Sequence, residues 1–149
     1  MKPLAENKKA YFNYEIKERF EAGLVLQGHE VKSIKAGRIN LAGSYIVFKD
    51  NEVYLLNSSV PPYQPKNAPA NYDPTRLRKL LLNRSEIKYL VGKSQQSGLT
   101  LMPLRVYTKK GKIKLEFGLA KGRKEVNKKE LLQKRSVDRE IERELKLRS

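Results

Sequence analysis

Cysteine and tryptophan are absent from this 149-residue chain, histidine occurs once, and acidic side chains are half as numerous as basic ones, 16 against 32. Without cysteine there is no disulfide and no thiolate metal site, and a reducing compartment suits the chain. His29 would need several carboxylates beside it to hold zinc. No apolar run approaches the ~18 residues of a membrane span, and the opening "MKPLAENKKA" holds no apolar signal segment. The expectation is a soluble, cytoplasmic, monomeric protein with no membrane span. Walker A, GxSxG and HExxH patterns are missing, as is a thiol nucleophile, so neither catalysis nor a cofactor is indicated. The carboxylates are scattered among Lys and Arg, and a metal-dependent nuclease would need two or three of them to converge.

What is present is positive charge. A formal excess of +16 works against a compact state by self-repulsion, and it usually serves a polyanionic partner. Nucleic acid is the first candidate and an anionic membrane the second. The length suits one domain, able to bury roughly two thirds of its unfolded surface.

Residues 1–10 are polar and basic and read as a loose arm. In "NYEIKERFEAG" Tyr14, Ile16, Phe20 and Ala22 share one face, with Glu15, Lys17, Arg19 and Glu21 on the other. This is the alternation of a half-buried strand, in which Glu18 is out of place. Gly23 is expected to bend it. "GHEVKSIKAG" reads as a short helix with Val31 and Ile34 inward and Gly37 as its C-terminal cap. "SYIVFK" and "EVYLLN" read as strands joined at a tight Asp50-Asn51 turn. A Pro-rich loop follows. Asp73-Pro74 then looks like a helix start for "PTRLRKLLL", and Asn83 with Glu86 forms a capping box for a further helix carrying Ile87, Leu90 and Val91. "LTLMPLRVY" and "KIKLEFGLA" are strands joined at Lys109-Lys110-Gly111; Pro103 demands a bulge or an unpaired edge. The sum is a mainly β chain with short helices, folded as a small antiparallel barrel over 11–120 with helices at its periphery.

After Ala120 the character changes. Residues 121–135 hold seven basic and two acidic side chains but only three large apolar ones, Val126, Leu131 and Leu132. Burial there cannot offset the ~1–2 kcal/mol per residue of backbone entropy. From Ser136 on, Val137, Ile141 and Leu145 form a narrow helical stripe. Residues 121–149 are therefore either a solvated, fraying extension or a segment that orders against a phosphate-lined groove.

Several segments, in order, match a known family: "NKKA" (7–10), "FEAGLVLQGHEVKSIKAG" (20–37), "SY" (44–45), "DPTRLRKLLLN" (73–83), "GLTLMPLRVY" (98–107) and "KIKLEFGLAKGRK" (112–124). Over about residues 7–129 the chain resembles the SsrA-binding protein (small protein B) family of bacterial trans-translation. The resemblance implies an oligonucleotide-binding-type (OB-like) barrel without enzymatic activity. It implies binding of the tRNA-like domain of transfer-messenger RNA and delivery of that RNA, with elongation factor Tu and GTP, to stalled ribosomes. It further implies a tail that is disordered in solution and helical in the ribosome, filling the decoding centre and the downstream mRNA path in place of codon–anticodon pairing.

Carried over to this chain, the family's RNA contacts fall on Glu21, Leu81 and Asn83. A carboxylate repels phosphate, so Glu21 would accept from base amino groups or a ribose 2′-hydroxyl. Its plain alternative is an ion pair with Arg19. Leu77, Leu80 and Leu81 form one helical stripe, yet Leu80–Leu82 span about 200° of a helix, which frees one leucine to stack on RNA. Lys9, Lys32, Arg76, Arg78 and Lys79 are candidates for phosphate contacts. Gly122, Lys124, Lys128 and Lys129 align with the family's tail positions. The family often has Asp-Lys-Arg where this chain has Asn127-Lys128-Lys129, and an aromatic or His at Val126; Lys lacks the planar fork of Arg, and Val has no ring to stack. A generic barrel-type RNA-binding translation factor would share the charge and the barrel without the ordered motifs.

Overall fold

The structure is a computed structural model that describes residues 3–64, 66, 69–96, 98–123, 141 and 143. Over the described residues between 3 and 123 seven strands and three helices follow in this order: β1 (Ala5–Glu6), α1 (Lys8–Asn13), β2 (Tyr14–Leu24), α2 (Gly28–Lys35), β3 (Tyr45–Lys49), β4 (Glu52–Leu56), β5 (Arg78–Leu81), α3 (Arg84–Ser94), β6 (Leu99–Lys109) and β7 (Lys112–Gly122). All strand pairs are antiparallel, in the order β1-β6-β7-β2-β5-β4-β3. The sheet is not closed by hydrogen bonds, but it curls far enough for Tyr45 of β3 to pack against the buried cluster to which β6 contributes Met102 and Leu104. The result is barrel-like and fits the expected OB-like class. No helix among the described residues is long and apolar enough to cross a membrane.

The local signals act as expected where one turn or cap decides them. Asp50 and Asn51 both take positive φ, and the β3–β4 register leaves these two as the whole loop. Lys110 and Gly111 do the same between β6 and β7. Such turns carry the twist of the flanking strands. α2 ends in a Schellman arrangement: Gly37 at φ +80 donates to the Ile34 carbonyl and Arg38 to that of Ser33. Phe117, Leu115, Val53, Leu55 and Leu80 are fully enclosed in the main core, which α2 reaches through Ile34 and α3 through Leu90.

Two bulges shape the long strands. In β6 the register slips between Pro103 and Arg105, so the missing N–H of Pro103 falls where pairing is already interrupted. In β2 it slips between Ile16 and Glu18. That accounts for Glu18, which lands beside α3 and accepts from the Tyr89 hydroxyl at 2.7 Å. Between the bulges runs Gly118 of β7, opposite Arg19 and Met102. A Cβ there would lie 2.8 Å from Ile16 Cγ2, 3.1 Å from the Glu18 carbonyl oxygen and 3.1 Å from Leu104 Cδ1. Replacing a strand glycine by alanine ordinarily stabilises. Gly118→Ala is expected to do the opposite, by about 1–3 kcal/mol, because backbone is among the atoms that must move. Urea denaturation reads this directly; an unshifted midpoint would mean that the bulges yield freely.

Three expectations are corrected. "PTRLRKLLL" is not a helix. Asp73 caps only a turn, its Oδ1 accepting from Thr75 N and Oγ1 at 2.9 Å each, and the chain then runs into β5. Residues 1–10 are not a loose arm where described: Ala5 and Glu6 pair with Val106 and Arg105, Asn7 is buried, and α1 begins at Lys8. The barrel does not end at Ala120, since Lys121 and Gly122 stay in β7 and the Arg123 N–H donates to the Asn13 carbonyl at 3.0 Å. Of the tail, Ile141 is helical, half-buried and packed against Val47, Leu56 and Leu77 on the outside of the β3–β4–β5 sheet. Lys124, Lys128, Lys129 and the remainder, with the expected disorder in solution and helix on the ribosome, lie outside the described residues.

Candidate nucleic-acid interface

Register places Leu81 of β5 opposite Gly23 of β2, and Gly23 opposite Lys114 of β7. Glu21 lies two residues before Gly23 and so projects from the same face. Gly23 is where β2 passes from one partner to the other, and its lack of a side chain brings the strands close: a Cβ there would sit 3.3 Å from Leu81 Cδ1. Leu81 is consequently spread over the glycine with 55% of its surface exposed, while Leu80 beside it is fully enclosed. Strand alternation, not helix geometry, turns Leu81 outward. Asn83 follows two residues on, exposed, as the N-cap of α3. Its Oδ1 accepts from the Glu86 N–H at 2.9 Å and the Ser85 hydroxyl at 2.7 Å. The cap leaves the two Nδ2 donors unused.

Glu21 does not pair with Arg19, which instead reaches Glu116 at 2.8 Å and Tyr11 at 3.3 Å. The Glu21 carboxylate accepts from the Tyr107 hydroxyl and lies 3.5 Å from Lys109 Nζ. The Tyr107 hydrogen bond, against a smaller effect of burial and with help from Lys109, holds the Glu21 carboxyl below the usual carboxylate range. Burial, and then the bond to Glu21, pushes the Tyr107 hydroxyl up, so Tyr107 remains a donor and Glu21 an ionised acceptor. A carboxylate has about four lone-pair sites, which leaves room for a base amino group or a 2′-hydroxyl. Lys109 and Lys114 act on it electrostatically, and Arg105 lies beyond, paired at 3.1 Å with the Glu116 that stands opposite Glu21. The expected phosphate contacts omitted all three, although outward alternation in "KIKLEFGLA" marks Lys114.

The other candidates scatter. Lys79 shares the outer face of β5 and pairs with Glu52 at 3.5 Å. Lys32 is exposed on α2 and Lys9 on α1. Arg78 is excluded as a phosphate ligand because it is fully buried. In an extended strand Arg76 and Arg78 share a face, and both turn inward to Glu30 of α2, which is fully enclosed. Arg78 Nε and Nη2 donate to Glu30 Oε2 at 2.9 and 2.6 Å, and Arg76 Nε donates there at 3.0 Å. Arg76 Nη2 and the Gln27 N–H satisfy Oε1. Tyr72, Ser58 and Pro74 take up the remaining Arg78 donors. Arg76 keeps partial exposure but is likewise committed to Glu30. Burial raises the Glu30 carboxyl; the hydrogen bonds from Arg76 and the Gln27 backbone and the charge of Arg78 outweigh it and bring the group down to about 2. Among the described residues no three His, Cys, Asp or Glu side chains converge as a metal site would require.

The profile of the SmpB protein family matches residues 4–147 of this chain. An SsrA-binding protein of Thermosynechococcus vestitus is 47% identical over 148 residues, spanning 99% of this chain and 97% of that protein. One from Geobacillus kaustophilus is 49% identical over 142 residues, spanning 95% and 91%. A solved structure described as "tmRNA-SmpB: a journey to the center of the bacterial ribosome" contains a chain that is 48% identical and superposes with a TM-score of 0.67, covering 80% of this chain and 84% of that one. With the profile and the relatives both running nearly end to end, the chain belongs to the SmpB protein family.

Proposed function

We propose that this protein binds transfer-messenger RNA and brings it to stalled ribosomes in trans-translation, through the outer β2–β5 face that carries Glu21, Leu81 and Asn83. The observation that carries this reading is their juxtaposition across Gly23 in a chain whose family membership spans its length. Glu21 supplies a carboxylate acceptor, Leu81 an apolar platform for a base, and Asn83 two amide donors. Lys79, Lys109, Lys114 and Arg105 supply phosphate contacts that position the RNA without reading it. Lys9 and Lys32 would touch more distant phosphates. Gly122, Lys124, Lys128 and Lys129 belong to the segment proposed to enter the decoding centre, where ribosomal RNA phosphates compensate its charge. Elongation factor Tu and GTP would join through the RNA, the protein acting as a cytoplasmic monomer without chemistry of its own.

The test compares affinity for transfer-messenger RNA with that for an ordinary tRNA at matched salt. Glu21→Ala and Leu81→Ala are each expected to weaken the first by roughly tenfold, about 1.4 kcal/mol, with little change in the melting temperature. Asn83→Ala should weaken binding too, but loss of the cap removes ~1 kcal/mol of stability, so its affinity is compared at a temperature well below the transition. Equal affinity for the two RNAs would favour a generic RNA-binding factor.

A further inference from the structure

Register sets two carboxylates against each other on the outer face of the sheet. Glu21 of β2 and Glu116 of β7 are direct cross-strand partners, and like charges so placed repel. The two are relieved in different ways. Glu116, with 13% of its side chain exposed, is held by two guanidinium groups, Arg19 at 2.8 Å and Arg105 at 3.1 Å. Glu21, with 35% exposed, has Lys109 Nζ at 3.5 Å from Oε1, while its Oε2 accepts from a neutral donor, the Tyr107 hydroxyl. Tyr107 belongs to β6, and β7 runs between β6 and β2. The phenol therefore crosses two strand spacings, roughly 10 Å, to reach the carboxylate. Only 5% of Tyr107 is exposed. The Arg105 guanidinium, anchored on Glu116, lies 5.1 Å from its ring centroid.

We infer that Tyr107 is a positioning residue for RNA selectivity: it fixes the Glu21 carboxylate in one orientation with its charge intact, so that the remaining lone pairs face a base amino group or a 2′-hydroxyl. This deepens the proposed function and rests on it. A cation in place of Tyr107 would cancel the charge of Glu21, as the two arginines do for Glu116. A phenylalanine would leave the carboxylate to fold down on Lys109 or Lys114. A phenol donates one proton from a rigid ring and leaves the other acceptor sites free, and a hydrogen bond to an ionised acceptor is a strong one. The protonation states agree with this arrangement. The Tyr107 bond is the main reason that Glu21 stays ionised below the usual carboxylate range, and burial keeps the Tyr107 proton in place. Tyr107 itself offers RNA almost no surface. Lysine contacts to phosphate are alike for any RNA, so the oriented carboxylate is the part of this face that discriminates.

The first measurement needs no RNA. The Glu21 side-chain carboxyl of the full-length chain is titrated by NMR across the carboxylate range, in the parent and in Tyr107→Phe. Its midpoint should rise in the variant; a midpoint that stays where it was overturns the inference. Affinities for transfer-messenger RNA and an ordinary tRNA are then compared at matched salt, below the melting transition of each chain, for Tyr107→Phe, Glu21→Ala and the double variant. Tyr107→Phe should weaken transfer-messenger RNA binding about fivefold and leave tRNA affinity unchanged. In the Glu21→Ala background it should add nothing, because the group it positions is gone. An equal loss for both RNAs, or an undiminished loss in the double variant, would give Tyr107 a structural or direct-contact role and overturns the inference. If Glu21→Ala weakens binding and Tyr107→Phe does not, this inference falls alone. If Glu21→Ala has no effect, the proposed RNA face falls and this inference with it.

Discussion

Glu30→Gln is expected to remove about 3–5 kcal/mol of folding free energy, more than any other single change considered for the barrel. The carboxylate is fully enclosed with the Arg78 guanidinium and beside Arg76. Neutralising it leaves two cations facing each other, one of them wholly out of water. Nη1 and Nη2 of Arg78 remain bonded to Ser58, Tyr72 and Pro74, and the glutamine amide oxygen can still accept from Nε, so what is lost is charge compensation more than hydrogen bonds. The same site predicts an acid response. The folded-state pKa of Glu30 is depressed from 4.5 to about 2, so its contribution is fully present above about pH 5 and fades as the pH falls from 4.5 towards 2. The parent should lose roughly 3 kcal/mol through this group in that window, at ~1.36 kcal/mol per unit, and Glu30→Gln should lack that part of the pH dependence. Urea denaturation between pH 7 and about pH 2 measures both. A loss below ~1 kcal/mol at neutral pH would contradict the assigned role.

Removal of residues 124–149 is expected to abolish ribosomal tagging while leaving transfer-messenger RNA affinity within about threefold, under ~1 kcal/mol. The cut belongs after Arg123, not after Ala120. β7 runs through Lys121 and Gly122, and Arg123 bonds to the end of α1, so a cut at Ala120 would unpair the first residues of β2 and confuse a folding defect with a tail defect. The truncation also removes Ile141 from Val47, Leu56 and Leu77. Losing one half-buried aliphatic contact should lower stability by about 1 kcal/mol, which a melting curve of the truncated chain records. A larger fall in RNA affinity would show that the tail and the barrel do not divide the work in this way.

Elements fixed by a single local rule were legible in the sequence. The two hairpins need residues that tolerate positive φ, and Asp50-Asn51 and Lys110-Gly111 supply them. The α3 capping box is complete in Asn83 and Glu86. The bulge at Pro103 follows from an absent N–H. β5 was misread because Leu77, Leu80 and Leu81 fit a helical stripe as well as a strand, and Asp73-Pro74 imitates a helix start. The open edges of β2 and β4 settled the matter, since each pairs with β5. α1 and β1 were missed because they are too short to carry a period. They exist because β6 presents an edge and because Asn7 caps its bulge.

Composition and ordered motifs were enough to give a small basic β domain and its family, and to put nucleic acid first among its candidate partners. The roles of individual charges were settled only when the chain folded. Arg76 and Arg78 looked like phosphate ligands and turned out to hold Glu30, whereas Lys114, absent from the expected contacts, lies beside Gly23 in the β2–β7 register on the Glu21 face. Burial depends on which distant strand a residue is paired with, and a one-residue shift in that pairing moves a side chain from one face to the other. Local patterns propagate over a turn or two; partner choice among strands far apart in sequence is made by the whole core at once.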